Sequence, residues 1–366
     1  MKFLKFLFLL AFPIISSAQE CNCLTNFNYV VQRVTKNYSG FADKVNSTNK
    51  GKFLQFTRSL RSKSKSTASL DSCYVHLRTW TEYFRDHHLR IQLDWRYRKN
   101  HPDVAKRLNS LFATPAIPLD RSENLETITS IHILDSNTVS FRLPSFEWSE
   151  KQTIDSLLRK YKKDILMRKN LILDIRGNSG GTDYAFAELM PLIYSTPIKI
   201  KPDEYLSTKE NIRILEANLN EEGISTEAKN FLNHLILLMK ENPNTFVNPS
   251  GKDFFETKLD SVYPNPSKVA ILVDRNSASS AESFLLMAMQ SKKVKVYGEN
   301  SAGTLDYNNT QFFDIPCKDL NLVIPIGRSK RLPAHPIDNI GITPDFTIDP
   351  KITDKIRIIR ASLSKN

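Results

Sequence analysis

Past its first eighteen residues the chain has no apolar run approaching the roughly 18 residues that a membrane-spanning helix needs, so no bilayer-crossing segment is expected there. Cysteine is scarce. Cys21, Cys23, Cys73 and Cys317 are the whole supply, and neither a second close pair nor a neighbouring histidine completes a tetrahedral zinc site. Dense basic clusters are missing as well. The formal charge is +12, yet Lys and Arg are dispersed, with only SLRSKSKS (59–66) and QSKKVK (290–295) mildly grouped. That pattern reads as a solvated basic surface and not as a specific nucleic-acid face. Repeats and low-complexity tracts are also absent. The 40% hydrophobic and 25% charged fractions fit an ordinary folded protein, and 366 residues suffice for about two domains.

What is present begins with a leader. MKFLKFLFLLAFPIISSA carries Lys2 and Lys5, then a short apolar run, then the small residues Ser16 and Ala18. It reads as a secretory signal cleaved after Ala18, in preference to a lipid anchor on Cys21. Removing residues 1–18 takes the charge to +10. The expected location is periplasmic or extracellular, in a bacterial envelope. An oxidising compartment suits disulfides, and Cys21 or Cys23 paired with Cys73 would staple the N-terminus to a helix.

Apolar spacing predicts helices from Leu24 to Val34 and along Leu70, Cys73, Leu77, Trp80 and Phe84. An alternating run, LRIQLDW (89–95), follows. Residues 19–100 therefore read as a small N-terminal helical region and 101–128 as a Pro-punctuated linker. From 129 to 366 the pattern is α/β. Two short strands lie within 130–146, and a helix (149–167) feeds the apolar strand LILDI (171–175). The strand VAILV (269–273), a helix (280–291) and the strand VKVYG (294–298) come later. The polar stretch 201–262 reads as an insertion able to cover a cleft. Strand–turn–helix alternation implies a mainly parallel sheet with crossover helices. The loops after Ile175, Val273 and Gly298 should then meet at one sheet edge, where α/β active sites gather.

Those loops carry the chemistry. In DRNSASSAES (274–283) a serine at a helix N-terminus is either a nucleophile whose oxyanion the free N–H groups would stabilise, or an inert N-cap. In LILDIRGNSGGTD (171–183) the glycine pair either presents backbone N–H groups to a ligand or makes a tight turn. RDHHLRI (85–91) offers an imidazole, the usual general base near neutral pH.

Taken together the segments resemble the tail-specific (C-terminal processing) protease and tricorn-core serine peptidase family. NSASSAES resembles its nucleophile segment, DIRGNSGG its Asp-Leu-Arg-Gly-Asn-Pro-Gly-Gly, and VKVYGEN the strand that follows the nucleophile helix. RDHHL resembles its upstream Asp-Gly-His-Thr, and GITPD (341–345) its closing Gly-Val-x-Pro-Asp. Spanning roughly residues 85–346, the resemblance implies a crotonase-like core and serine-type hydrolysis of a peptide or protein substrate, with no metal or organic cofactor. It places Ser279 as nucleophile, with Ser277 and Ser280 as register alternatives. The N–H groups of Ser280 and of Gly180 or Gly181 fall on the oxyanion hole. A Lys base is absent at Ser301-Ala302-Gly303-Thr304, which implies the His-dependent, tricorn-like branch: His88 as base, His87 as its alternative, and Asp338 assisting where Glu is usual. No PDZ segment is evident between 96 and 128. The competing implication is a degenerate family member that binds apolar ligands or proteins without catalysis.

Overall fold

In the computed structural model residues 21–112 and 125–365 are described; the expected leader, residues 1–18, and the middle of the expected linker lie outside them. The N-terminal part contains α1 (Cys23–Asn37), α2 (Phe41–Lys44), α3 (Lys50–Lys65), α4 (Leu70–Glu82), β1 (Arg90–Leu93), α5 (Trp95–Asn100) and α6 (Pro102–Ser110). Asn22 caps α1 by accepting the Thr25 N–H at 2.9 Å, and Phe27, Val30 and Val34 bury one stripe. In α3 the corresponding stripe is Phe53, Thr57, Leu60 and Ser64. Two of its four core positions are polar, so its periodicity is faint in the sequence. Thr57 belongs inside because its hydroxyl accepts the Trp80 indole N–H of α4 at 3.0 Å.

There follow β2 (Ser130–Ile133), β3 (Thr138–Arg142), α7 (Trp148–Met167), β4 (Asn170–Asp174), a 3₁₀ turn (Asp183–Leu189), α8 (Met190–Ile193), β5 (Ile198–Ile200), β6 (Asp203–Leu206), α9 (Lys209–Asn218), α10 (Thr226–Glu241), β7 (Phe246–Val247) and β8 (Phe255–Thr257). The chain continues through β9 (Lys268–Val273), α11 (Ser280–Ala288), β10 (Val294–Gly298), β11 (Tyr307–Asp314), β12 (Leu320–Ser329), β13 (Phe346–Thr347) and α12 (Lys355–Lys365). Among the described residues no helix is long and apolar enough to cross a membrane.

A six-stranded sheet runs in the order β13-β10-β9-β4-β3-β2. It is parallel except for β2, which pairs antiparallel with β3. Both faces are covered, as parallel sheets require. Leu171, Leu173, Ile271 and Val273 join α7 and α11 in one core, while Ile172, Ala270 and Leu272 meet Ile359 and Leu363 of α12 in another.

A second sheet, entirely antiparallel, has the order β1-β12-β6-β7 with β11 also on β12. The expected N-terminal helical region packs on this sheet, with Phe27, Trp80 and Ile91 sharing one core with Tyr205, Leu235, Tyr307 and Leu322. The polar stretch 201–262 supplies β6 and β7 to this sheet. Within the expected linker, residues 102–110 form α6. Two disulfides tie the layers: Cys23–Cys73 joins α1 to α4, and Cys21–Cys317 spans 296 residues to reach the β11–β12 turn.

Candidate active site

The loops after β4, β9 and β10 meet at the carboxyl edge of the parallel sheet and are stitched together by their backbones. Asp274 Oδ1 accepts the Gly177 N–H at 2.9 Å, Asn178 O accepts the Ala278 N–H at 2.9 Å, and Ser277 O accepts the Ala302 N–H at 2.9 Å. The serines of the 277–280 turn are thereby sorted. Ser277 is fully buried and donates its hydroxyl to Ile175 O at 2.9 Å. Ser280, also buried, bonds through its side chain to Asp183. Ser279 is half-buried and lines a cleft of about 470 Å³. Its backbone lies at φ 55°, ψ −119°, a costly conformation for a residue with a Cβ.

A carboxylate missed at the sequence level holds that strained turn. Glu282, fully buried in α11, accepts the Ser279 N–H at 3.2 Å, the Ser301 hydroxyl and the Gly303 N–H at 2.6 Å each, and the Thr304 N–H at 2.8 Å. Its identity three residues after a helix-capping serine is the capping-box signal. Here the side chain reaches further, into the loop where a Lys base would stand. Thr304 Oγ1 takes the Ser279 N–H as well, at 3.1 Å.

The glycine turn packs on the same serine. A Cβ on Gly180 would stand 2.8 Å from both Ser279 Cβ and Ser280 N, and one on Gly181 would stand 2.3 Å from Phe146 O; their φ angles are +95° and +140°. The Gly180 N–H is already bound to Asn178 Oδ1 at 2.9 Å. Among the described residues the amides of Gly181 and Ser280 have no acceptor. Of the two glycines, therefore, Gly181 has the N–H free for an oxyanion.

His88 follows α4 at the entry to β1. Its Nδ1 lies 2.7 Å from Tyr307 O. A carbonyl only accepts, so Nδ1 carries the proton and Nε2 keeps its lone pair, the tautomer a general base needs. The His88 N–H is fixed by Asp86 Oδ1 at 2.8 Å, and Asp86 Oδ2 takes the Tyr38 hydroxyl at 2.7 Å. Burial, then Asp86, pushes the Tyr38 phenol well up. His87, one residue earlier, is exposed. Thr304 grips the Ser279 main chain and Tyr307 grips the His88 imidazole, so a four-residue segment spanning at most ~11 Å ties the two together.

The expected assisting residue, Asp338, lies behind the segment that carries the Tyr307 carbonyl. It makes no hydrogen bond or ion pair with His88 among the described residues. Its Oδ1 accepts the Asp306 N–H at 2.8 Å, while Asp306 Oδ2 accepts the N–H groups of Ile337 and Asp338 at 2.9 Å each. Burial, then the nearby charges of Asp86 and Asp306, pushes its carboxyl up to about 8. The partner of Nδ1 is thus a backbone carbonyl, one residue along the chain from the Asp306 N–H that Asp338 accepts.

The cleft runs along one side of α11, from Ser279 and Ser280 past Ser283 and Met287 to Gln290. Lys199, Lys201, Asp203, Leu305, Asn309 and Arg331 wall it. Asp183 at its edge is pushed up by burial and eased by the Ser283 hydroxyl at 2.7 Å. The lysines near the β10 strand are elsewhere: Lys293 Nζ donates to Tyr263 O at 2.5 Å, and Lys295 pairs with Asp345 at 3.3 Å.

Residues 137–348 match the profile of peptidase family S41. The chain belongs to this family. It is accordingly a serine peptidase, built on the tail-specific protease fold. Mature CPAF has a similar structure, with a TM-score of 0.61 at 11% identity over 90% of this chain and 93% of that one. A lipoprotein from Streptococcus agalactiae aligns with a TM-score of 0.51 at 17% identity, over 98% and 99% of the two chains. The tricorn protease aligns at 0.50 with 9% identity, over 94% of this chain and 37% of its own. At these identities the likeness is one of fold. No curated protein sequence matches the chain.

Proposed function

We propose that this S41 peptidase is an exported endopeptidase that works through an acyl-enzyme on Ser279, with His88 as its base. The observation that carries the reading is the shared segment 304–307, which holds the Ser279 amide at one end and fixes the His88 tautomer at the other. His88 Nε2 takes the hydroxyl proton as Ser279 Oγ attacks the peptide carbonyl. The tetrahedral oxyanion forms between the Ser280 and Gly181 amides, where each donor is worth about 3 kcal/mol of transition-state stabilisation. The protonated imidazole then hands its proton to the leaving amine, and a water deprotonated at Nε2 releases the acyl group. The reading is that of the His-dependent, tricorn-like branch, and a loop at 301–304 that Glu282 holds and that carries no lysine supports it. Asp338 supports His88 indirectly. The leader and two formed disulfides support export to a periplasmic or extracellular, oxidising location.

The test is labelling of the purified mature protein with a fluorophosphonate probe. Wild type should label, folded Ser279→Ala and His88→Ala should not, and His87→Ala should. A folded wild type that resists the probe and cleaves no peptide would overturn the assignment in favour of an apolar-ligand-binding relative without catalysis.

A further inference from the structure

Beside the oxyanion turn, outside the cleft, stand two large aromatic rings in water. Trp148 is 67% exposed and Tyr184 is 65% exposed, and they meet edge to face with ring centroids 5.9 Å apart. Among the described residues this is the one aromatic pair in which both members are exposed. Single exposed apolar residues need no explanation; two exposed rings in contact beside the glycine turn do.

The pair is built from below. Phe146 and Phe186 are buried and pack at 5.3 Å, each also against Phe284 of α11. Their next-but-one neighbours, Trp148 and Tyr184, meet outside. The same segments grip the glycine turn: the Phe146 N–H donates to Gly180 O at 3.1 Å, and the Thr182 N–H donates to Phe146 O at 2.8 Å. Trp148 and Tyr184 are each two residues from this bridge, within ~7 Å along the chain. A peptide whose carbonyl oxygen reaches the Gly181 amide thus has the two rings within one to three residues.

Resting on the peptidase reading, we infer that Trp148 and Tyr184 form a subsite for an apolar side chain of the substrate, aromatic or long aliphatic, within three residues of the scissile bond. Trp and Tyr offer large apolar faces at little rotamer cost, and anchors of this kind carry most of the energy at peptide-binding surfaces. An apolar side chain needs no counter-charge there, and an acidic one would meet the exposed carboxylates of Glu147 and Asp183 beside the rings in sequence.

The experiment uses internally quenched peptides on a glycine background, each with one Phe, Leu, Lys or Glu at a position up to three residues from the cut. Wild type should favour Phe or Leu at one position by about tenfold or more in kcat/KM. Trp148→Ala and Tyr184→Ala should erase that preference through KM, and Trp148→Phe should keep most of it. A preference that survives both alanine variants, or one lost through kcat alone and not rescued by Trp148→Phe, would overturn the subsite. A second measurement separates this idea from the catalytic one. In Ser279→Ala combined with Trp95→Phe, Trp148 is the exposed indole that remains, since Trp80 is fully buried. Its emission should shift with the Phe or Leu peptides and not with Lys or Glu. That shift in a protein whose wild type cleaves nothing would keep the subsite and discard the peptidase mechanism; no shift would discard the subsite.

Discussion

Glu282 accepts both the N–H and the hydroxyl of Thr304, at 2.8 and 3.2 Å, from a position with no solvent exposure. A helix residue thereby shapes the loop whose far end orients His88. Glu282→Gln turns one acceptor oxygen into a donor facing donors, which costs about 1–3 kcal/mol. The expected outcome is a lower melting temperature with a larger proportional loss in kcat than in KM, read by calorimetry and steady-state kinetics.

Gly180 is predicted to tolerate no side chain. Its added Cβ would meet Ser279 Cβ at 2.8 Å at a φ of +95°, so Gly180→Ala should displace the serine. Misplacement of about 1 Å costs on the order of 100-fold in rate. Active-site titration should show a folded protein that acylates at least that much more slowly.

Asp338 gives a pH dependence of stability with a definite sign. Its carboxyl releases its proton near 8 in the fold, against about 3.9 when unfolded. Between those values the folded state binds a proton that the unfolded state lacks, so stability falls as pH rises, by up to about 1.4 kcal/mol per pH unit. Asp338→Asn mimics the protonated form and can still accept the Asp306 N–H. Its melting temperature should fall less than that of wild type between pH 5 and pH 8.

Reduction is predicted to weaken the N-terminal layer. Cys21–Cys317 and Cys23–Cys73 close loops of 296 and 50 residues, and losing a native disulfide costs about 2–5 kcal/mol. Cys21→Ser with Cys317→Ser should melt lower than wild type under oxidising conditions and match it more closely in dithiothreitol.

The parallel sheet was legible because β4 and β9 are short apolar runs bounded by turn residues, a pattern that survives without long-range information. The antiparallel sheet was not. Arg90 pairs with Val323 across most of the chain, and Tyr205 with Gly327, and no local periodicity announces such partners. Ser279, His88 and the glycine pair could be named from motifs. Their supports could not. Tyr307 acts through its carbonyl, which every residue possesses, and Glu282 looks like an ordinary cap. Asp338 could be named by family position, but not the backbone N–H of Asp306 that its side chain accepts.

His88 is flanked by Leu89 and Ile91 of the core that the N-terminal helices share with the antiparallel sheet, while the helix opening at Ser279 buries Ala281 and Leu285 in a core of the parallel sheet. The residues proposed as base and nucleophile are therefore carried by different hydrophobic cores. A chain that has formed only one of these cores holds the imidazole or the hydroxyl but not the pair. On the proposed reading, cleavage has to wait until the two cores have packed together.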